Sequence, residues 1–168
     1  MKDKEPFRLD DIDLKLLELL RANGRTPHTV LAKAVGLSSV SIHTRIQQLE
    51  QAGVIQGYTA LLDEEKLGVP IMAFIHVSTQ PNANEYTLFE RFIVEDSTII
   101  ECHELTGEDN YMLKAQLPSL DALRELLARI RILPTVTQTR TAISLARVKG
   151  LGSIRVTSFL EAGERVNG

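Results

Sequence analysis

A single cysteine, Cys102, is the chain's entire thiol content, so an internal disulfide is excluded. A reducing, cytoplasmic setting is the simplest expectation. No segment approaches the roughly 20 consecutive apolar residues that span a bilayer, and no membrane partner is expected. The opening MKDKEPFRLDDID is charged and lacks the apolar stretch of a secretory signal. Positive charge is scarce as well: 19 Lys and Arg stand against 22 Asp and Glu, for a formal net charge of −3. Phosphate affinity comes from Lys and Arg. Any binding to nucleic acid must therefore rest on a local surface, or on several copies acting together.

Reaction chemistry is also missing. There is no second cysteine, spaced histidine pair, Gly-x-Ser-x-Gly or phosphate loop, and His28, His43, His76 and His103 show no metal spacing. Cys102 and His103 are adjacent in an expected strand, so their side chains leave on opposite faces and cannot pair as thiolate and imidazole. The expectation is a protein without enzymatic activity, cofactor or metal.

What is present is foldable. An apolar share of 43% suits packed structure, and 168 residues suffice for one ordinary domain or two small ones. The first sixty residues read as helices. Ile12, Leu16, Leu19 and Leu20 recur at helical spacing, with Asp10 as N-cap and Asn23-Gly24 as a stop. Thr26 as cap and Pro27 at the first helical position open a second helix, with Leu31, Ala34 and Val35 on its inner face. Gly36 interrupts it, Ser38 and Ser39 offer new caps, and a third helix carries Ile42, Ile46 and Leu49 on one stripe up to Gly53. Two helices joined by a tight glycine turn, with a third closing the core, form the helix-turn-helix plan. A generic small helical bundle is the alternative reading of the same spacing.

From Val54 the character changes to an extended segment (Ile55, Tyr58, Ala60, Leu62), followed by a turn or hinge over 63–68. The order beyond reads strand 71–77, helix 84–94, strand 99–105, strand 111–117, helix 120–130 and strand 136–145. Tyr111, Leu113, Ala115 and Leu117 alternate as in a half-buried strand. Phe89, Phe92 and Ile93 line one helix, and Leu120, Leu123, Leu127 and Ile130 the other. This βαββαβ order is ferredoxin-like, an antiparallel sheet with both helices on one face, and a sheet covered on one side invites association. The expected class is α+β. The division is a winged-helix-like helix-turn-helix domain over 8–53, a linker strand and hinge over 54–68, a ferredoxin-like domain over 69–149, and an unassigned tail over 150–168.

The third helix carries the first candidate site. At about 100° per residue, burying Ile42, Ile46 and Leu49 turns Val40, Thr44, Gln47 and Gln51 outward, flanked by Ser41, His43 and Gln48, and Ser39 at the helix start is a further candidate contact. That face is rich in hydroxyls and amides and almost free of charge. Gln pairs bidentately with adenine, Ser and Thr bond either base, and Val40 suits a thymine methyl. Arg45, at the edge of the stripe, is placed to reach a phosphate. A merely solvated helix face is the bland alternative.

The runs LDDIDLKLLELLRANGRT and LAKAVGLSSVSIHTRIQQLEQAGVIQGYTALLD resemble the amino-terminal half of the Lrp/AsnC (leucine-responsive, or feast/famine) regulators. ECHELTGEDNYMLKA, LPSLDALRELLARI and LPTVTQTRTAIS resemble that family's carboxy-terminal regulatory domain. The likeness covers residues 8 to 149 in order. It implies a transcription regulator that binds double-stranded DNA, dimerises through its sheet, assembles into tetramers or octamers, and responds to an amino acid. It also implies an effector pocket around Leu105, Thr106, Gly107, Asn110 and Tyr111, bordered by Thr139 and Thr141 on the last strand. Asn110 stands where the family most often has Asp, which removes a charge an ammonium would seek. On turn chemistry alone, Gly107 and Asn110 are ordinary hairpin residues, and threonine is simply a good strand residue. An effector-binding oligomer with a degenerate DNA-binding domain is the competing function.

Overall fold

The computed structural model describes residues 8–80 and 83–149, with the side chains of 83–87 left out. The tail expected over 150–168, with its short apolar stretch at 154–160, lies outside the described residues. The chain divides into two compact units, one running to Ala60 and the other spanning Leu61–Arg147.

The first unit is three helices, α1 (Asp11–Ala22), α2 (His28–Val35) and α3 (Ser39–Gln51). Asp10 caps α1 reciprocally: its Oδ1 accepts from Asp13 N at 2.8 Å, and Asp13 Oδ2 accepts from Asp10 N at 3.1 Å. The expected Thr26 cap is not made. Pro27 takes the cap position of α2 without a side-chain bond, and Thr26 Oγ1 donates back to Asn23 O at 2.7 Å. Gly36, at φ 73°, adopts the left-handed turn that ends α2, and Ser38 then caps α3 by accepting from Ser41 N at 3.1 Å. Leu16, Leu20, Leu31, Ala32, Ile42 and Ile46 form the core. Ala32, not Ala34, is buried, because Leu31, Ala32 and Val35 share a stripe and Ala34 falls on its edge.

Beyond α3 the linker strand expected within 54–68 is absent from the single chain, and no wing strands occur among the described residues. An extended segment becomes a strand only when a ladder partner takes its N–H and C=O groups. None of the described residues does so. Tyr58 instead donates its hydroxyl to Glu50 Oε1 on α3 at 2.9 Å, and its ring lies where a side chain at Gly24 would meet it.

The second unit runs β1 (Ile71–Thr79), α4 (Ala83–Glu95), β2 (Ile99–Glu104), β3 (Tyr111–Leu117), α5 (Leu120–Arg131) and β4 (Val136–Ile143). The strands form one antiparallel sheet in the order β2-β3-β1-β4, the ferredoxin-like arrangement. Ala73, Ile75 and Val77 of β1 and Leu113 and Ala115 of β3 face Phe89 and Ile93 of α4 and Leu123, Leu126 and Ile130 of α5. Leu126 replaces Leu120 in that layer. Leu120 is 59% exposed in the first turn of α5, on the far edge of the buried stripe. The last strand ends at Ile143 rather than 145, with Leu145 fully in solvent.

The other face of the sheet carries ion pairs. Lys114 Nζ meets Glu101 Oε1 at 2.5 Å. Asp109 takes hydrogen bonds from Arg140 and from Ser78 Oγ, the latter at 3.1 Å, while His76 Nδ1 stands 3.3 Å away. Arg140, then the Ser78 bond and the neighbouring His76, hold the Asp109 carboxyl below its usual range against the opposing effect of desolvation. A depressed native value means the contribution is present above the ordinary carboxyl value of about 3.9 and is lost as pH falls through the native one. Arg140→Ala should therefore lower the urea midpoint near neutrality, with the deficit shrinking as pH drops towards 3. An offset that stays constant with pH would contradict the pairing.

Candidate nucleic-acid face and effector site

Ile42 and Leu49 are fully buried and Ile46 nearly so, which fixes what α3 shows to solvent. Val40 is 75% exposed. Ser41, His43, Thr44, Gln47, Gln48 and Gln51 are exposed and Ser39 is half-buried. Val40, Thr44, Gln47 and Gln51 share one side of the helix with His43, Ser41 and Gln48 beside them, whereas Ser39 lies in the first turn towards the buried stripe, and their hydrogen-bonding capacity differs. Thr44 Oγ1 donates to Val40 O at 3.1 Å, so outward it offers an acceptor and a methyl. Ser41 Oγ is engaged with Ser38 Oγ at 2.8 Å. The amides of Gln47, Gln48 and Gln51 extend without protein partners among the described residues, and the His43 ring tilts against His28 with centroids 5.7 Å apart. His28, His43, Gln47, Glu50 and Tyr58 help line a shallow cleft of about 310 Å³ beside this face.

Arg45 does not stand ready for a phosphate. Its Nη1 donates to Asp10 Oδ2 at 2.8 Å and to Asp13 Oδ1 at 2.7 Å, at the N-terminus of α1. Asp13 is nearly buried. The Asp10 carboxyl is held below its ordinary value, first by the Asp13 N–H and further by Arg45, while the guanidinium is pushed up by the two carboxylates. The physical reason is local. A cap with an acid at both reciprocal positions carries two negative charges in close contact and needs a counter-cation. Two acids three residues apart at a helix start, with an arginine on the core edge of another helix, are the signal that sequence reasoning passed over. Glu50, the other formal charge on α3, is bonded to Tyr58, whose phenol is pushed up by burial and by that carboxylate.

In the second unit, the β2–β3 hairpin closes through Leu105 N donating to Asn110 O at 2.7 Å. Gly107 sits at φ 124° with open space around it, so a larger residue there is strained by the backbone and not by a clash. Thr106 and Gly107 are exposed and Leu105 is half-buried. Asn110 ties the hairpin to the central strand: its Oδ1 accepts from Thr79 N at 2.6 Å and its N donates to Val77 O at 3.0 Å. Its acceptor is therefore already in use. Tyr111 is 6% exposed and stacks at a tilt on Phe89, 4.8 Å between centroids, which makes it a core residue. Thr139 pairs with Val77 on the opposite side from the hairpin, so β1 separates it from Asn110 by roughly two strand spacings, about 10 Å. Its Oγ1 accepts from Arg131 Nε at 2.9 Å. Thr141 is exposed two residues on. Arg131 is a cation at this end of the sheet that no motif announced.

Two family models match the chain. An AsnC-type helix-turn-helix domain matches residues 9–50, and an Lrp/AsnC ligand binding domain matches residues 72–154. The leucine-responsive regulatory protein of Escherichia coli strain K12 is 37% identical over 145 residues, covering 84% of this chain and 87% of that protein. A Neisseria meningitidis transcriptional regulator, solved as its complex with L-methionine, superposes with a TM-score of 0.85 at 29% identity, covering 90% of this chain and 99% of that one. The LrpC protein of Bacillus subtilis superposes with a TM-score of 0.77 at 31% identity, covering 85% and 99%.

Asn110→Ala strands the Thr79 N–H and should cost about 1–3 kcal/mol. Asn110→Asp keeps an acceptor oxygen in place and should cost far less. Chemical denaturation of the two variants checks this; equal losses would mean that the side-chain bond to Thr79 contributes nothing.

Proposed function

The chain belongs to the Lrp/AsnC family of transcription regulators, with a DNA-binding helix-turn-helix and an amino-acid-binding domain, and we propose that it reads operator bases through the outward face of α3. The observation that carries this reading is a helix anchored by three buried aliphatics whose exposed side holds hydroxyls, amides and a valine but no free charge. Such a side suits base edges better than phosphates. Ser39, Val40, Ser41, His43, Thr44, Gln47 and Gln48 are the proposed contacts. Arg45 is withdrawn from direct phosphate contact because both carboxylates at the α1 cap hold it.

Low positive charge per chain calls for several copies on one operator, since counterion release grows with the number of phosphates neutralised. We propose a homodimer formed through the sheet face that carries Met72, Phe74, Met112 and the ion pairs, building to a larger even-numbered assembly. Two copies of α3 would then read half-sites about one helical turn apart. The unpartnered segment after α3 fits the same picture. Residues 8–53 would form the reading domain, 54–68 the link, and 69–149 the assembly and effector domain. The setting would be the cytoplasm, where the DNA is.

The effector is proposed to be an amino acid, as the relative solved with L-methionine suggests. Its carboxylate would meet the backbone around Leu105, Thr106 and Gly107, whereas Thr139 and Thr141, across β1 in the same chain, would reach that ligand only from a second copy. Tyr111 would support the hairpin from the core. Asn110 brings the ammonium no charge, so affinity for a zwitterion would be modest. The competing reading, an effector-binding oligomer that has lost DNA binding, draws on the engagement of Arg45.

A gel shift with the gene's own upstream region separates the two. The expectation is a specific complex, with Gln47→Ala costing about 1–3 kcal/mol, the worth of one bidentate base contact. Failure of the wild type to favour that region over random duplex would favour the competing reading. Light scattering should give a mass at least twice the 18.7 kDa chain. In a thermal-shift screen of the twenty amino acids, any stabilising ligand should bind Asn110→Asp more tightly and Gly107→Leu not at all. Unchanged affinity in both would move the pocket elsewhere.

A further inference from the structure

We propose that Arg45 is a positioning residue, which sets the recognition helix against the capped N-terminus of α1 and so determines sequence discrimination without touching DNA. The inference rests on the reading of α3 as the base-contacting helix. Four carboxylate oxygens and three donor groups make a closed set. Asp10 Oδ1 and Asp13 Oδ2 accept the two backbone N–H groups of the cap. The two oxygens left over, Asp10 Oδ2 and Asp13 Oδ1, both accept from Arg45 Nη1. No oxygen is unused, and the arginine supplies the charge that lets two acids share one cap.

The tie is also placed where it matters. Arg45 lies in the middle of α3, about 65° from the centre of the buried stripe and about 130° from the centre of the outward face, at about 100° per residue. Its guanidinium is directed away from the reading side and into a partly sheltered seam, with side-chain exposures of 28% for Arg45 and 9% for Asp13. An aliphatic stripe fixes which side of a helix is buried, but dispersion contacts are non-directional and tolerate small slides and tilts. A double hydrogen bond from mid-helix does not. Base readout needs donors and acceptors within hydrogen-bond range at several positions at once. A small displacement of α3 therefore costs specific contacts while leaving the general attraction to the duplex intact.

Charge counting and positioning predict opposite signs, and this makes the test sharp. Asp13→Asn removes a negative charge, so on charge alone it should tighten binding to any DNA. If Arg45 positions α3, the same change weakens specific binding. The experiment uses the full chain and a duplex selected by the wild type from a random library, beside a random duplex of equal length, each titrated over a salt series. Arg45→Gln and Asp13→Asn should both lose about tenfold on the selected duplex, the order of one base contact. Both should stay within about twofold on random duplex and keep the wild-type salt slope. Arg45→Lys should recover most of the loss, since one nitrogen makes both contacts.

Three outcomes overturn the proposal alone. In the first, Arg45→Gln flattens the salt slope by about 0.9 per bound copy with a parallel loss on random duplex, the signature of a phosphate contact. In the second, Asp13→Asn tightens both duplexes. In the third, both variants bind the selected duplex as the wild type does. If Arg45→Gln fails to fold by circular dichroism, Asp13→Asn and Arg45→Lys decide the matter. A wild type that selects no sequence overturns the functional reading itself, and this proposal with it.

Discussion

Burial of Ile42, Ile46 and Leu49 is the constraint from which the functional account follows. Each such side chain contributes about 1.5–3 kcal/mol when fully removed from water, enough that α3 has one energetically acceptable rotation about its axis. With that rotation set, every other residue of the helix has an assigned role. Val40, Thr44, Gln47 and Gln51 must face out, and Arg45 must fall at the seam with α1. The absence of free charge on the exposed side then becomes informative. A helix kept only for solubility would carry Glu and Lys there, whereas an uncharged side of amides and hydroxyls leaves its hydrogen-bonding capacity open to a partner with matching groups.

The second unit is organised in the same way around one strand. β1 is paired on both sides, by β3 and by β4, and its alternate residues supply the centre of the core. The β2–β3 hairpin is fastened to it through Asn110, and Thr139 faces it from the other flank. The proposed effector elements are therefore attached to the central, doubly paired strand of the sheet. Polar groups that a ligand would use are shared with the fold itself: Asn110 serves Thr79, Thr139 serves Arg131, and Asp109 is held on the opposite face by Arg140 and Ser78.

The elements and their order were legible in the sequence because burial imposes a period on apolar residues, and the caps at Asp10 and Ser38 marked helix starts. Errors came where two positions compete for one stripe. Ala32 against Ala34, and Leu126 against Leu120, differ by a fraction of a turn, and the packing partner makes the choice. The linker strand is a different matter: the extended residues are recognisable, but a strand is a property of a pair, and the single chain holds no partner for it among the described residues. At the sites, residue identity was readable and side-chain commitment was not. Arg45, Asn110 and Tyr111 each look available as text, yet each is occupied by a group distant in sequence, namely the α1 cap, the β1 backbone and the Phe89 ring.

A regulator with a DNA-binding unit and an amino-acid-binding unit should couple operator binding to amino-acid binding. Linkage requires the coupling to be reciprocal. The direct measurement is a pair of titrations: selected duplex into protein with and without saturating amino acid, and the same amino acid into protein with and without saturating duplex. The expected result is a change in affinity by one common factor in both directions. An amino acid that binds tightly but changes duplex affinity by a factor of one, with the reverse titration equally unaffected, would contradict it.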